Sequence, residues 1–364
     1  MANETVRVLS FAGRTSLGNS DYTIPGETRT PKALILFINA ATNLGQIYDS
    51  HAVNTCGFYD GVTQNCVASN NWAGGSVSRS VRTISNNKIL QVFLSTSSSV
   101  LLEATCSFVV GGINMNYTAA PGSGAFSQST AVLFFGDDLD AKALSFDTDT
   151  GTTVTTGIDQ DIVFSGTVGL SNANTKSSLG IYSFGAAAIK PAIKNYSESY
   201  GAEDAVVTSS TYSALFNDAS FSQTYSSGWK AEVTSANATS FTYSADVSTA
   251  GDYVHFLAIK LPADVVFDIV ETSVPTSGNI AVTGTGIAPE CVMLASANLS
   301  SRTAISNSAG ISTAIANFDV DGFASHSIAV EDNSTQHVCK SLCSNQLGLL
   351  NSSGTLDAQA SGYA

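Results

Sequence analysis

The sequence predicts an all-β protein, and three observations carry the prediction. Val, Ile, Thr, Phe and Tyr recur in short runs, with alternation visible in Ser240-Phe241-Thr242-Tyr243-Ser244 and a β-favouring run from Tyr253 to Ile259. The residues that sustain amphipathic helices are scarce, with charged residues only 12% of the chain. The 30 glycines, with Ser and Asn clusters around them, suit turns between many short strands. Only Ala186 to Ile193 has helical character, and Pro191 interrupts it.

The elements recur in order, at a spacing of about 125 residues. First comes an apolar strand that ends in Asn, Ser and Ala residues: LILFINAATN ending at Asn43, TVGLSNAN ending at Asn174 and VMLASAN ending at Asn298. A proline, Pro31 or Pro289, stands at the entry of that strand in the first and third copies. A glycine follows in each copy: Gly57, Gly185 and Gly310. A polar cluster comes next, CVASNNW to Trp72, AIKNYSES from Ala192 and AVEDNST from Ala329. Then come NNKILQVF ending at Phe93, STYSALFN ending at Asn217 and SNQLGLLN ending at Asn351. A period of this length suits one β-sandwich per copy. The sequence therefore predicts three tandem antiparallel β-sandwich domains at 1–138, 139–261 and 262–364.

The third copy is shorter. Residues 107–136 close the first copy and 230–261 close the second, whereas the third ends at Tyr363-Ala364 before equivalent strands. A sandwich lacking its last two strands exposes backbone edges and an apolar face. Either a neighbouring chain donates the missing strands, or the chain is a processed or truncated form of a longer product; the second is the expectation.

Composition excludes several function classes. The balance of 15 Lys and Arg against 29 Asp and Glu leaves −14, the wrong sign for a nucleic-acid binder or a basic membrane-surface protein. The opening MANETVRVLSFAG has no basic segment followed by an apolar stretch, so the expectation is synthesis in a cytosol without export. The longest apolar candidate, Ala33 to Ala41, is of strand length. Six cysteines are too sparse for a disulfide scaffold. Cys56 and Cys66 stand where adjacent strands would allow pairing, but buried free thiols are the expectation. His337, Cys339 and Cys343 offer one imidazole and two thiols without a fourth zinc ligand nearby.

No nucleophile elbow, phosphate cradle or recurring Cys/His pair is present. His255, on a strand, reads as a satisfied structural histidine. Asp147 and Asp149 open like a calcium loop, but the glycine falls one position early and Ile158 stands where a bidentate Glu is wanted. A solvated turn is the simpler reading, and calcium at the junction of the first two copies the sharper one. For sugar contact, Trp72 after Asn70 and Tyr196 after Asn195 occupy similar positions in copies one and two, pairing an aromatic face with an amide. Packing is the simpler reading there too.

The closing segment of copy two runs Trp229-Lys230-Ala231-Glu232-Val233, Ser240-Phe241-Thr242-Tyr243 and Tyr253 to Ile259. It resembles the C-terminal half of H-type lectin domains. The opening Pro31-Lys32-Ala33-Leu34-Ile35 and the Gly57-Phe58 step are similar to repeat units of bacteriophage surface and tail proteins. The resemblance implies a small β-sandwich, commonly assembled as a trimer and sometimes used to hold sugars. The lectins' sugar-contacting residues do not map here one by one. With the repeats, the low charge and the polar Ser/Thr/Asn surfaces, it leads to the expectation of a virion structural protein of a tailed phage, a tail, fibre or capsid-decoration component without enzymatic activity. Its expected partners are itself, as a trimer or larger, other virion proteins and host-surface glycans. A soluble carbohydrate-binding lectin is the alternative.

Overall fold

The computed structural model describes residues 5–39, 47–49, 51–73, 78–93, 99–122, 128–147, 152–168, 174–185, 188–199, 206–207, 214–217, 230–245, 253–267, 269, 289, 291–297, 305–306, 308–317, 322–333, 336–344, 349–350 and 356–357. These residues contain strands and no helix, so none long and apolar enough to cross a membrane is among them. The fold is all-β, built of antiparallel sheets.

The strands from the first third of the chain are β1 (Val6–Ala12), β2 (Gly18–Thr23), β3 (Ala33–Asn39), β4 (Ile47–Asp49), β5 (His51–Tyr59), β6 (Gln64–Ala73), β7 (Ser78–Ser85), β8 (Leu90–Phe93), β9 (Val100–Val109), β10 (Gly112–Ala119) and β11 (Gln128–Phe134). Next come β12 (Asp140–Asp147), β13 (Thr153–Thr155), β14 (Ile162–Val168), β15 (Asn174–Gly185), β16 (Ala188–Ser199), β17 (Val206–Val207), β18 (Ala214–Asn217), β19 (Lys230–Asn237), β20 (Ser240–Ala245) and β21 (Tyr253–Lys260). The last are β22 (Cys291–Ala297), β23 (Ile305–Ser306), β24 (Ser308–Asn317), β25 (Gly322–Asn333), β26 (Gln336–Ser344), β27 (Leu349–Leu350) and β28 (Leu356–Asp357). The stretch around Pro191 that has helical character in the sequence is strand β16, with Pro191 opposite Tyr182. The ladder to β15 overrides the local preference.

One strand order occurs twice. A large sheet β1-β11-β3-β5-β6-β7 accompanies a small sheet β2-β10-β9-β8, and a large sheet β12-β21-β14-β15-β16 accompanies a small sheet β13-β20-β19-β18. Each strand of the second set occupies the rank of its counterpart in the first. The third large sheet, β22-β24-β25-β26-β4, keeps the later ranks and borrows β4 from the first third of the chain, with Lys340 opposite Asp49 and Leu342 opposite Ile47. Two two-stranded ladders, β17-β23 and β27-β28, complete the set.

The first large sheet is apolar on both faces because both are covered. Leu34, Leu36 and Ile38 of β3 join Leu90, Val92, Ile113, Met115 and Phe135 in a cluster between the large and small sheets. Ala33, Ile35 and Phe37 point the other way, as the two-residue period of a strand requires. They meet Ile162, Phe164, Leu257 and Ile259 of the second large sheet in a shared cluster, against which Val265, Phe267, Ile269, Cys291 and Met293 also pack. A third cluster around Phe241, Phe256 and Val163 lies between the second large and small sheets. Each buried aliphatic or aromatic side chain contributes about 1.5–3 kcal/mol. This two-sided burial explains why ALILFIN is a continuous apolar run and not an alternating one.

The three large sheets meet in cyclic order. Strands β5, β6 and β7 pack on β12, β14 and β21; β16 packs on β22 and β24; and β24, β25 and β26 pack back on β1, β3 and β5.

Two polar clasps hold the ends. The Glu27 carboxylate accepts hydrogen bonds from Arg7 Nη1 at 3.2 Å, Arg29 Nη2 at 2.7 Å and Arg29 Nε at 2.9 Å. The Arg29 side-chain hydrogen bonds hold the Glu27 pKa down at about 2, against the opposing effect of burial. The Arg29 guanidinium also lies 4.9 Å from the centre of the Phe135 ring. In the β5–β6 turn, Asp60 Oδ1 accepts from the Val62 amide at 2.8 Å and the Thr63 amide at 2.5 Å. Its Oδ2 accepts from the Ala143 amide at 2.9 Å, tying the first large sheet to β12.

Candidate functional site

The residues singled out for sugar contact fall on two strands of equal rank, β6 and β16. Asn70 is buried between the first large and small sheets, and its Nδ2 donates to the Phe93 carbonyl at 3.0 Å. Its amide therefore ties β6 to β8 across the layers. Trp72 stands opposite His51 and Arg79 in the ladder, and Asn195 and Tyr196 stand opposite Ser178 and Ser177. The side chains of Trp72, Asn195 and Tyr196 lie outside the described set.

Asp147 ends β12 opposite Tyr253. It also acts on Tyr243, whose pKa is pushed up to about 12, chiefly by burial and secondarily by the Asp147 carboxylate. Tyr243 is fixed by an edge-to-face contact with Phe146, the ring centroids 5.9 Å apart. Asp149, the other half of the calcium expectation, lies outside the described residues. Among the described residues, no group of three or more His, Cys, Asp or Glu is arranged to hold a metal ion. The ladder sets Cys343 opposite His326 and His337 opposite Asp332.

Cys56, Cys66 and Cys106 are reduced and buried. Register explains why Cys56 and Cys66 do not bond. Cys56 stands opposite Val67 and Cys66 opposite Gly57, so the one-residue offset sends the two thiols to opposite faces of the sheet. Burial pushes the Cys66 and Cys106 thiols well above their ordinary pKa, which keeps them protonated.

His255 departs from the sequence expectation. It is a buried strand residue, as predicted; the Ser85 backbone lies near its ring, but neither nitrogen completes a hydrogen bond of good geometry. It alternates with Leu257 and Ile259 onto the shared cluster, flanked in the ladders by Ser145 and Gly166. Burial lowers its pKa to about 4, and the Ser85 backbone acts in the opposite sense. The ring is thus held neutral. Asn65 and Ser69 of β6, which alternate with Val67 of the shared cluster, also carry buried polar side-chain atoms without partners.

Sequence reasoning missed the residues that join layers: Asp60, Glu27 and the alternating Val265, Phe267 and Ile269. The Asp60-Gly61 dipeptide between two strand patterns was the available signal for the first. For the last, the signal was period-two spacing ahead of β22.

No protein-family model, no curated protein and no solved structure matches this chain.

Proposed function

We propose that this chain is a structural component of a virion, a tail, fibre or capsid-decoration protein of a tailed phage. In this reading the chain consists of three tandem β-sandwich units, 1–138, 139–261 and 262–364, the third incomplete. The observation that carries it is the cyclic packing of the three large sheets on a shared apolar cluster. That arrangement gives a single chain the cross-section that three separate subunits would otherwise build, and it leaves the outer strands and turns to present surfaces. The low charge favours large faces buried against neighbours, whether further copies or other virion proteins. The resemblance to H-type lectin domains and phage tail repeats supports the same class.

Immunogold electron microscopy of purified particles, with antibody raised against the whole chain, tests the proposal. Gold at a fixed position on the particle supports it. Particles free of the chain, with all of it in the soluble fraction, would overturn it.

A further inference from the structure

The seam between the first two large sheets is apolar over successive rungs and then turns polar. On the second sheet, Ile259 stands between Ala141 and Ile162, and Leu257 between Ala143 and Phe164. His255, next on that face, stands between Ser145 and Gly166. On the first sheet, β6 turns Asn65, Val67 and Ser69 toward the same seam, with Asn65 opposite Phe58. His255 and Asn65 are both fully buried. Neither ring nitrogen of His255 and neither amide atom of Asn65 completes a hydrogen bond of good geometry. Buried polar atoms are nearly always partnered, so these atoms mark a place where something polar binds.

Two observations bring the pair together. A Cβ on Gly166 would stand 3.0 Å from Val67 Cγ2 and 3.4 Å from Phe58 Cε2, so the His255 rung lies over the part of β5 and β6 that carries Asn65. The Ser85 backbone, which lies near the His255 ring, stands opposite Cys66, the residue next to Asn65. Val67 and Phe58 are hydrocarbon walls and offer neither donor nor acceptor. The rung also has little bulk: Gly166 has no side chain and Ser145 a short one, where the neighbouring rungs carry Phe164 and Ile162. Ser145 is exposed on β12, which stands at the end of the sheet order, so solvent lies one strand spacing, ~4.8 Å, from β21.

We propose that the seam between β21 and β6 is a binding site for internal water, with about two molecules held between His255 and Asn65. The two ring nitrogens point away from each other, so a single water does not serve both. The neutral imidazole offers a donor and an acceptor, and the Asn65 amide offers both as well. Water matches that mixed set and brings no charge into an apolar cluster. A metal cation fits less well, since among the described residues no group of three or more His, Cys, Asp or Glu is arranged to hold one. The bridge ties the second large sheet to the first at the one rung where hydrocarbon packing gives out. The proposal rests on the packing of these two sheets and not on the virion assignment, so particle labelling and the following experiment fail separately.

The experiment uses the purified full chain near neutral pH and takes two readouts. Magnetic relaxation dispersion of the solvent counts water molecules held inside the protein. Its amplitude should fall by the equivalent of about one water or more in His255→Leu and in Asn65→Leu. High-resolution crystallography of the unsubstituted chain needs no variant to fold. It should place water within about 3.2 Å of a His255 ring nitrogen and of the Asn65 amide. A direct hydrogen bond between His255 and Asn65 with no water beside them would overturn the proposal. So would a dry seam, a metal ion in place of water, or a dispersion amplitude that neither substitution changes.

Discussion

Replacing Phe58 by alanine tests whether the first two large sheets share one core or merely touch. Phe58 is fully buried in the cluster common to both sheets. Its ring lies so near the second sheet that a Cβ built on Gly166 would stand 3.4 Å from Phe58 Cε2 and 3.0 Å from Val67 Cγ2. Removing a buried phenyl ring costs about 3–5 kcal/mol, the lost transfer energy plus the cavity left behind. At about 1.4 kcal/mol per factor of ten, the opening equilibrium rises by roughly two to three and a half decades. Because the ring is shared, the loss falls on both sides. Native-state hydrogen exchange should therefore accelerate in β3 and β5 and, comparably, in β14 and β21. Phe241→Ala provides the contrast, since Phe241 belongs to the cluster confined to the second large and small sheets. It should accelerate exchange in β14, β20 and β21 and spare β3 and β5. If Phe58→Ala loosens only residues 6–134 and leaves β14 and β21 protected, the two sheets are energetically independent and the shared-core argument is wrong.

Three further outcomes follow from single residues. Gly57→Ala should lower the thermal midpoint sharply, by about 2 kcal/mol or more of stability, because a Cβ there would overlap the Ile89 carbonyl oxygen; an unchanged melt would refute it. Asp60→Ala removes acceptors from three amides and should cost about 2–4 kcal/mol, with exchange rising at Ala143 as well as in the β5–β6 turn; a change confined to the turn would show that the tie to β12 carries no energy. His255 has a folded pKa of about 4 against an ordinary 6.5, so the unfolded chain binds the proton more readily. Stability should fall as pH drops from about 6.5 to about 4, and His255→Leu should flatten that part of a denaturant-midpoint profile; an identical slope in the variant would count against the burial argument.

Much of the strand inventory was legible in the sequence. The first and third apolar markers fall on β3 and β22 and the second begins at the end of β14, strands of one rank, with its residues 169–173 outside the described set, and Gly57, Gly185 and Gly310 fall on β5, β15 and β24. Short-range pattern suffices there, because alternation and turn residues act within a few positions. The candidate site was far less legible. Asn70 looks like a surface amide beside an aromatic, yet it bridges two layers. His255 looks like a satisfied strand histidine, yet neither ring nitrogen completes a hydrogen bond of good geometry. Facing layers come from residues far apart in the chain, and nothing local encodes which of them meet.

The chain by itself determined that its strands are short, that one pattern recurs, and that ALILFIN must be covered on both sides, since an uninterrupted apolar strand has no face to give to water. Tertiary structure alone decided what does the covering. It set the second large sheet against the first, brought β4 to the edge of β26, and packed Val265, Phe267 and Ile269 against the cluster the sheets share. Hydrophobic burial is non-directional, so composition fixes how much apolar surface must be hidden, while register and sheet order choose the partner that hides it.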